Sequence, residues 1–379
     1  GGAILAETDS FFDCSNEAWQ ARGSMSCHNP TTSDIARRAG VSQSAVSIIL
    51  NHPEDAHFTA DTIRKVLNTA EELGYKRRPR AARSPVSFPK DTVLIVCPVL
   101  SNSYYASLVQ SIEQAAFAKG YSTVVCNTYR DIRRERTILS RFSGSGLCGI
   151  IFTFIPQSCE LVEELNRTIP VVVIGDRNTS INVDTVEIDS VRSGTLVAEH
   201  LLRLGHTDIA FVSTTLNEQN AVRLNRLEGV RQAFRESCPD GTVTVSSEDV
   251  TSEEDLRDPA IEQDVGFRLT KAMLENKKIT AVVAVNDMVA YGAMTAILQA
   301  GFSIPRDYSV CGFDNIFSSQ FPQILLTTVE HFMREKGHNA MNILDERIRS
   351  GGVPAESITR VEYQPRLIVR KSTAKPRAL

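Results

Sequence analysis

The stretch TTSDIARRAGVSQSAVSIILN, Thr31 to Asn51, holds the pattern on which the reading of this chain turns. Ile35 and Ala36 fall on the inner side of a first helix, and Ala36 is small enough for a second helix to cross closely. Gly40 stands where the turn between two helices needs an unusual backbone. Val41 closes the small core, and Ser42 can N-cap the next helix. Val46 and Ile49 give that helix a buried side, leaving Gln43, Ser44 and Ser47 outward. Ile48 reads two ways: outward, against a thymine methyl, or inward, with the core. Thr59 opens a third helix whose Ile63, Val66, Leu67, Ala70 and Leu73 form an apolar face, stopped by Gly74. This is the helix-turn-helix arrangement, with polar side chains near the start of the second helix aimed at major-groove edges. Gln pairs with adenine and Ser with several bases.

An ordinary helical hairpin without a DNA role is the competing reading, and charge bears on the choice. Between Thr31 and Tyr75 stand four basic residues (Arg37, Arg38, Arg64, Lys65) and six acidic ones (Asp34, Glu54, Asp55, Asp61, Glu71, Glu72). The missing positive charge follows at once in KRRPRAARSPVSFPK, residues 76–90, where Pro79, Pro85 and Pro89 mark a linker. Its Arg77, Arg78, Arg80 and Arg83 can neutralise phosphates or enter a minor groove. The candidate DNA-contacting residues are therefore Thr32, Ser42, Gln43, Ser44, Ser47 and Ile48, with those four arginines.

From Asp91 onward, apolar runs alternate with amphipathic helical stretches. TVLIVCPV, STVVCNT, LCGIIFTF, PVVVIGD, IAFVS, TAVVAV and YSVCGFD read as buried strands of parallel sheets covered on both faces. So many β–α units exceed one small sheet, which implies two lobes. The whole chain has 379 residues and a net charge of −4, which argues against a protein that coats nucleic acid but not against a local DNA-reading module. No run of about 18 apolar residues suggests a membrane span. The first thirty residues lack the pattern of a secretory signal and read as a disordered extension, with Met25 a candidate start. Eight cysteines without a Cys-x-x-Cys pair read as reduced thiols of a cytoplasmic protein.

The segment SDIARRAGVSQSAVSIILN, followed by a helix ending LGY, closely resembles the headpiece of the lactose-repressor (LacI/GalR) family. The resemblance continues in order through GIIFTF, VEIDSVRSGTLVAEHLLRLGHTDIAFVS, NRLEGVRQAF, AVVAVNDMVAYGAMTAILQAGFSIPRDYSVCGFDN and LTTVEHFMREKGHNAMNIL, roughly Thr31 to Val369. It implies a transcription repressor with an all-α headpiece at 31–75 and a basic hinge at 76–90. A periplasmic-binding-protein-like α/β effector domain would follow, as two doubly wound parallel-sheet lobes joined by three crossovers. Lobe one would take about 91–188 plus 327–352, lobe two about 189–326 plus 353–370, and 371–379 would be a tail. It also implies a homodimer on a pseudo-palindromic operator, and the C-terminal IVRKSTAKPRAL has none of the leucine heptads by which family tetramers assemble. The hinge departs from the family pattern: Tyr75 and Ala81 fit, but Arg77, Arg78, Ala82 and Ser84 replace Pro, Asn, Arg and the wedging Leu.

Between two such lobes a ligand binds at the strand C-termini. Asn102, Tyr104 and Tyr105 follow the first strand, Thr128 (after Asn127) the second, and Asp176 follows PVVVIG. Asn286 and Asp287 follow TAVVAV, where either could instead cap the next helix. The resemblance adds Arg226 in NRLEG and Asp314 after YSVCGF as ligand-binding positions. Carboxylates and amides outnumber Arg226 in this set, which points to a neutral sugar or related polyol as effector. Tyr105 offers a flat face for a sugar ring or a base. No cofactor, metal or catalytic role is expected. His331, Glu335 and His338 share a helical spacing but on a helix expected at the surface, Gly144-Ser145-Gly146 lacks the spacing of a nucleophile elbow, and no phosphate-cradling glycine loop occurs. An exported sugar-binding protein of the same fold would need a signal peptide and no headpiece.

Overall fold

The computed structural model describes residues 30–51, 58–75, 87–177, 180–351 and 356–378. They fall into two compact units, one within residues 1–83 and one within 84–379. The first is three helices: α1 (Thr32–Ala39), α2 (Gln43–Asn51) and α3 (Ala60–Glu72). Thr31 and Asp34 form a capping box at the start of α1, and Gly40 ends the helix in the left-handed region at φ 67°. The Ser42 hydroxyl accepts from Ala45 N at 3.2 Å and so caps α2. Ile35, Ala36, Ala39, Val46, Ile49, Val66 and Ala70 make the core. Leu67, assigned to the inner face of α3 by its spacing, is instead 45% exposed. Thr69 takes the inward place beside Ala70, its hydroxyl donating to the Lys65 carbonyl within its own helix.

The second unit opens with β1 (Thr92–Cys97), α4 (Ser103–Ala118), β2 (Ser122–Asn127), α5 (Ile132–Phe142), β3 (Gly149–Phe152), α6 (Cys159–Leu165), β4 (Val171–Asp176) and β5 (Asp184–Ile188). A second series follows: α7 (Ser190–Leu204), β6 (Asp208–Thr214), α8 (Ala221–Ser237), β7 (Thr242–Glu248), α9 (Ser252–Arg257), α10 (Ile261–Met273), β8 (Ala281–Ala284), α11 (Asp287–Gln299), β9 (Ser309–Asp314) and β10 (Thr327–Glu330). The chain closes with α12 (Met333–Ser350), β11 (Arg360–Tyr363) and β12 (Arg366–Ile368). Two six-stranded sheets result, ordered β11-β5-β4-β3-β1-β2 and β12-β10-β9-β8-β6-β7. All pairings are parallel except β10 with β12. Each sheet is a lobe, and the chain passes between them three times, after β5, after β10 and after β11.

The strand pairing corrects the lobe boundaries. Residues 327–330 belong to lobe two, because β10 pairs with β9. Residues 360–363 belong to lobe one, because β11 pairs with β5. Nor do the described residues 371–378 form a loose tail. Ser372 is buried and bonds Val310 O and Thr327 N, and the Arg377 guanidinium lies 4.1 Å over the Tyr308 ring. At the other end of the unit, Phe88 stacks on Phe142 at 5.4 Å, so the end of the linker is already part of lobe one. Two glycines serve the site directly: a Cβ on Gly194 would overlap the Arg226 carbonyl, and one on Gly229 the Val191 carbonyl. Their bareness lets α7 and α8 cross backbone to backbone and fixes where Arg226 emerges.

Candidate nucleic-acid interface and ligand cavity

The start of α2 presents one polar strip. Ser42, Gln43, Ser44 and Ser47 are exposed while Ala45, Val46 and Ile49 are buried, as the helical period requires. Gln43 Nε2 donates to Thr32 Oγ1 at 3.2 Å, and the Ser42 and Ser44 hydroxyls lie 3.0 Å apart. Ile48 stands outward, 41% exposed. The inward reading is thereby set aside, since Ile49 already fills the inner side. Arg37 pairs with Asp34 and Arg38 with Glu72, so the two arginines of α1 are partly neutralised where they stand. Arg77, Arg78, Arg80 and Arg83 lie outside the described residues.

In the second unit a cavity of about 510 Å³ lies between the lobes. It has the size of a small-molecule site. Of the nine sequence-assigned residues, Asn102, Tyr104, Tyr105, Arg226, Asn286 and Asp314 line it. Thr128, Asp176 and Asp287 do not, and each has structural work instead. Thr128 is fully buried, its hydroxyl accepting from Arg130 N. Asp176 accepts from Ser190 N at 3.0 Å and from Asn225 Nδ2 at 2.7 Å, tying β4 to the second lobe. Asp287 accepts from Ser319 and Thr328 hydroxyls, each at 2.6 Å, and from Ile316 N, bracing the loop after β9. Asn286 does both things the sequence allowed: its Oδ1 caps α11 through Val289 N and its side chain lines the cavity.

Arg226 is the centre of the deep wall. Nη1 donates to Val285 O at 2.5 Å, Nη2 meets Asp314 Oδ1 at 3.1 Å, and the face of the guanidinium lies over Phe313. Its Nε is buried with no hydrogen-bond partner. His331 lies 3.5 Å from Asp314 and 3.3 Å from Arg226. It is buried and cavity-lining, not on the surface helix the sequence suggested, because β10 ends just before it at the second crossover. Burial, with Arg226 and Lys336 alongside, holds its pKa well below the usual value, so it is neutral. Beneath Tyr104, the fully buried Lys336 donates to the phenol oxygen at 3.0 Å. Desolvation pushes this lysine down to about 8. Burial raises Asp287 and Asp314 above the carboxylate range, an effect that Arg226 opposes at Asp314.

Sequence reading missed more than half of the polar lining, among it Arg130, Gln157, Glu218, Arg223 and His331, and also the aromatic face of Phe154. With them the charge count changes. Three arginines face the cavity and Asp176 does not, yet each arginine has a carboxylate: Arg226 has Asp314, Arg223 has Glu262 at 3.3 Å, and Arg130 has Asp255 at 3.7 Å. The partners Asp255 and Glu262 come from α9 and α10, which carried no motif. Among the described residues there is no cluster of His, Cys, Asp and Glu that could hold a metal, and no helix long and apolar enough to cross a membrane.

Comparison with known proteins matches both units. Residues 31–78 fit the family described as bacterial regulatory proteins, lacI family, and residues 198–373 fit the periplasmic binding protein-like domain. The HTH-type transcriptional repressor PurR of Haemophilus influenzae (strain PittEE) is 30% identical over 347 residues, covering 90% of this chain and 98% of that protein. PurR of Histophilus somni (strain 129Pt) is 29% identical with the same coverage. Among solved structures, a LacI family transcriptional regulator from Enterococcus faecium with bound ribose is similar at TM-score 0.63 and 26% identity, over 75% of this chain and 99% of that one. The lac repressor dimer bound to operator and the anti-inducer ONPF shares the fold at TM-score 0.62 and 22% identity, over 92% of this chain and 100% of that one.

Proposed function

Since the chain belongs to the lacI family of bacterial regulatory proteins and is a DNA-binding transcriptional repressor, we propose that a sugar or related polyol held between its two lobes sets its affinity for operator DNA. The observation that carries this reading is the buried, unpartnered Nε of Arg226 in the cavity wall beside Asp314. A hydroxyl can accept from such a donor and give its own proton to the carboxylate, which an apolar ligand cannot do. Charge balance supports a neutral effector: every arginine of the lining has its own carboxylate, so an added anion would itself lack a countercharge. Asn102, Tyr104, Tyr105, Arg226, Asn286 and Asp314, with Arg130, Gln157, Arg223 and His331, are the effector-contacting residues on this reading. The bound ribose of the Enterococcus faecium relative agrees with it. The Tyr105 and Phe154 rings in the lining favour one second reading, a ligand with a flat heteroaromatic base.

Operator half-sites are read by Gln43, Ser44, Ser47 and Ile48, positioned by Thr32 and Ser42, and the linker arginines hold phosphates. Two headpieces are needed for a pseudo-palindrome, so the repressor acts as a cytoplasmic homodimer. Exposed Leu100 and Phe317 border a groove along α4 that suits a second copy. The test is a thermal-shift panel of neutral pentoses, hexoses, polyols and nucleosides, followed by operator binding with each hit. An effector at 100 times its Kd should add about 2.7 kcal/mol of stability and change operator affinity. If nucleosides alone shift the melt, the second reading stands; if nothing shifts it, or hits leave operator binding untouched, the proposal fails.

A further inference from the structure

One carboxylate outside the sequence-assigned set holds together three donors of the cavity wall. Glu262, near the start of α10 in lobe two, accepts from Asn102 Nδ2 at 2.6 Å and Asn286 Nδ2 at 3.1 Å on one oxygen, and from Arg223 Nη2 at 3.3 Å on the other. Its side chain is 12% exposed. Asn286 and Arg223 belong to lobe two, but Asn102 belongs to lobe one, so the first of these bonds spans the cleft. Both asparagines are otherwise committed: Oδ1 of Asn102 caps α4 through Tyr104 N at 2.9 Å, and Oδ1 of Asn286 caps α11 through Val289 N at 2.9 Å. The carboxylate thus connects two helix N-termini on opposite walls.

We propose that Glu262 is the positioning residue of the effector cavity: it orients Asn286 and Arg223 within lobe two and clasps Asn102 of lobe one across the cleft. A second cross-cleft pair lies alongside. Arg130 of lobe one reaches Asp255 of lobe two at 3.7 Å, from a loop in which both Tyr129 and Arg130 have left-handed backbones, φ 50° and 56°. Such backbone strain persists only where surrounding contacts over-determine it, and the Gln157 amide donating to the Arg130 carbonyl at 2.8 Å is one of them. The chemistry of the clasp requires an acceptor-only group. A carboxylate can take three N–H donors, whereas an amide of the same shape turns an NH2 group toward donors that already point at it.

The inference rests on the effector reading only for what the cavity holds, so its test is run on the full chain without ligand. Hydrogen exchange is followed at the start of α4 and the start of α11 in wild type, Glu262→Gln and the double variant Asn102→Asp with Glu262→Gln. The single substitution should quicken exchange at both sites by about tenfold, the scale of one lost charge-assisted bond, and more than at the core strands β1 and β6. The double variant should restore protection at α4, since the carboxylate now sits at position 102 and the new amide donates to it, while α11 stays quick. Unchanged exchange in Glu262→Gln, exchange quickened equally at α4, α11 and the core strands β1 and β6, or no recovery at α4 in the double variant would each overturn the clasp.

Discussion

The two units use polar side chains in opposite ways. In the headpiece, Gln43, Ser44 and Ser47, with Ile48 beside them, stand exposed outside a core of seven small and aliphatic residues, and none of them is part of that core. In the effector domain, Arg226, Asp314, His331 and Lys336 are all buried, and each is held by another member of the group or by the cavity wall. A surface that reads DNA can be changed residue by residue without cost to folding. A buried ion pair such as Arg226 and Asp314 cannot, because an unpaired charge left inside costs more than the interaction it made.

The largest effect is expected at Arg226. Replacing it with alanine strands Asp314 beside a neutral histidine. We expect a loss of about 3–5 kcal/mol of effector-domain stability, read by chemical denaturation, together with loss of effector binding. A change below about 1 kcal/mol would mean that the buried cluster is not cooperative, and the contrast with the headpiece would vanish.

Lys336 tests the same cluster through pH. Its pKa falls from 10.5 to about 8 in the folded domain, so between these values the unfolded chain binds more protons than the native one. Stability therefore rises with pH across that window, by at most about 1.4 kcal/mol per unit, and the penalty of burying the charge is fully present below pH 8. Lys336→Met should be more stable than wild type at pH 7 and should lack this rise. Parallel pH profiles for the two proteins would show that the lysine is charged at no cost.

The smallest effect on stability should come from Ile48. Ile48→Ala should shift headpiece stability by no more than about 0.5 kcal/mol, because the side chain is 41% exposed. It should nevertheless flatten the preference for thymine at one operator position, measured against single-base variants of a selected operator. Loss of headpiece stability with unchanged base preference would return Ile48 to the core.

The sequence alone decided most of what a period carries, Leu67 on α3 excepted. Spacing of apolar residues separated Val46 and Ile49 from Gln43, Ser44 and Ser47, and continuous apolar runs marked the inner strands of both sheets, such as TVLIVC and AVVA. The edge strand β7, TVTVSSE, lacks such a run because only part of it is buried, and was not legible. Position after a strand found Asn102, Tyr105 and Asn286, since a parallel sheet delivers its ligands at strand ends. It could not tell Asn286, which lines the cavity, from Asp287, whose carboxylate turns away into the loop after β9. Nor could it find Glu262 or His331, which enter the site from an unmarked helix and from a crossover. Their roles depend on which residue they meet across the cleft, 160 positions away for Glu262 and Asn102. A periodic pattern records which face a side chain takes, while a pairing between distant segments exists only once both lobes have folded.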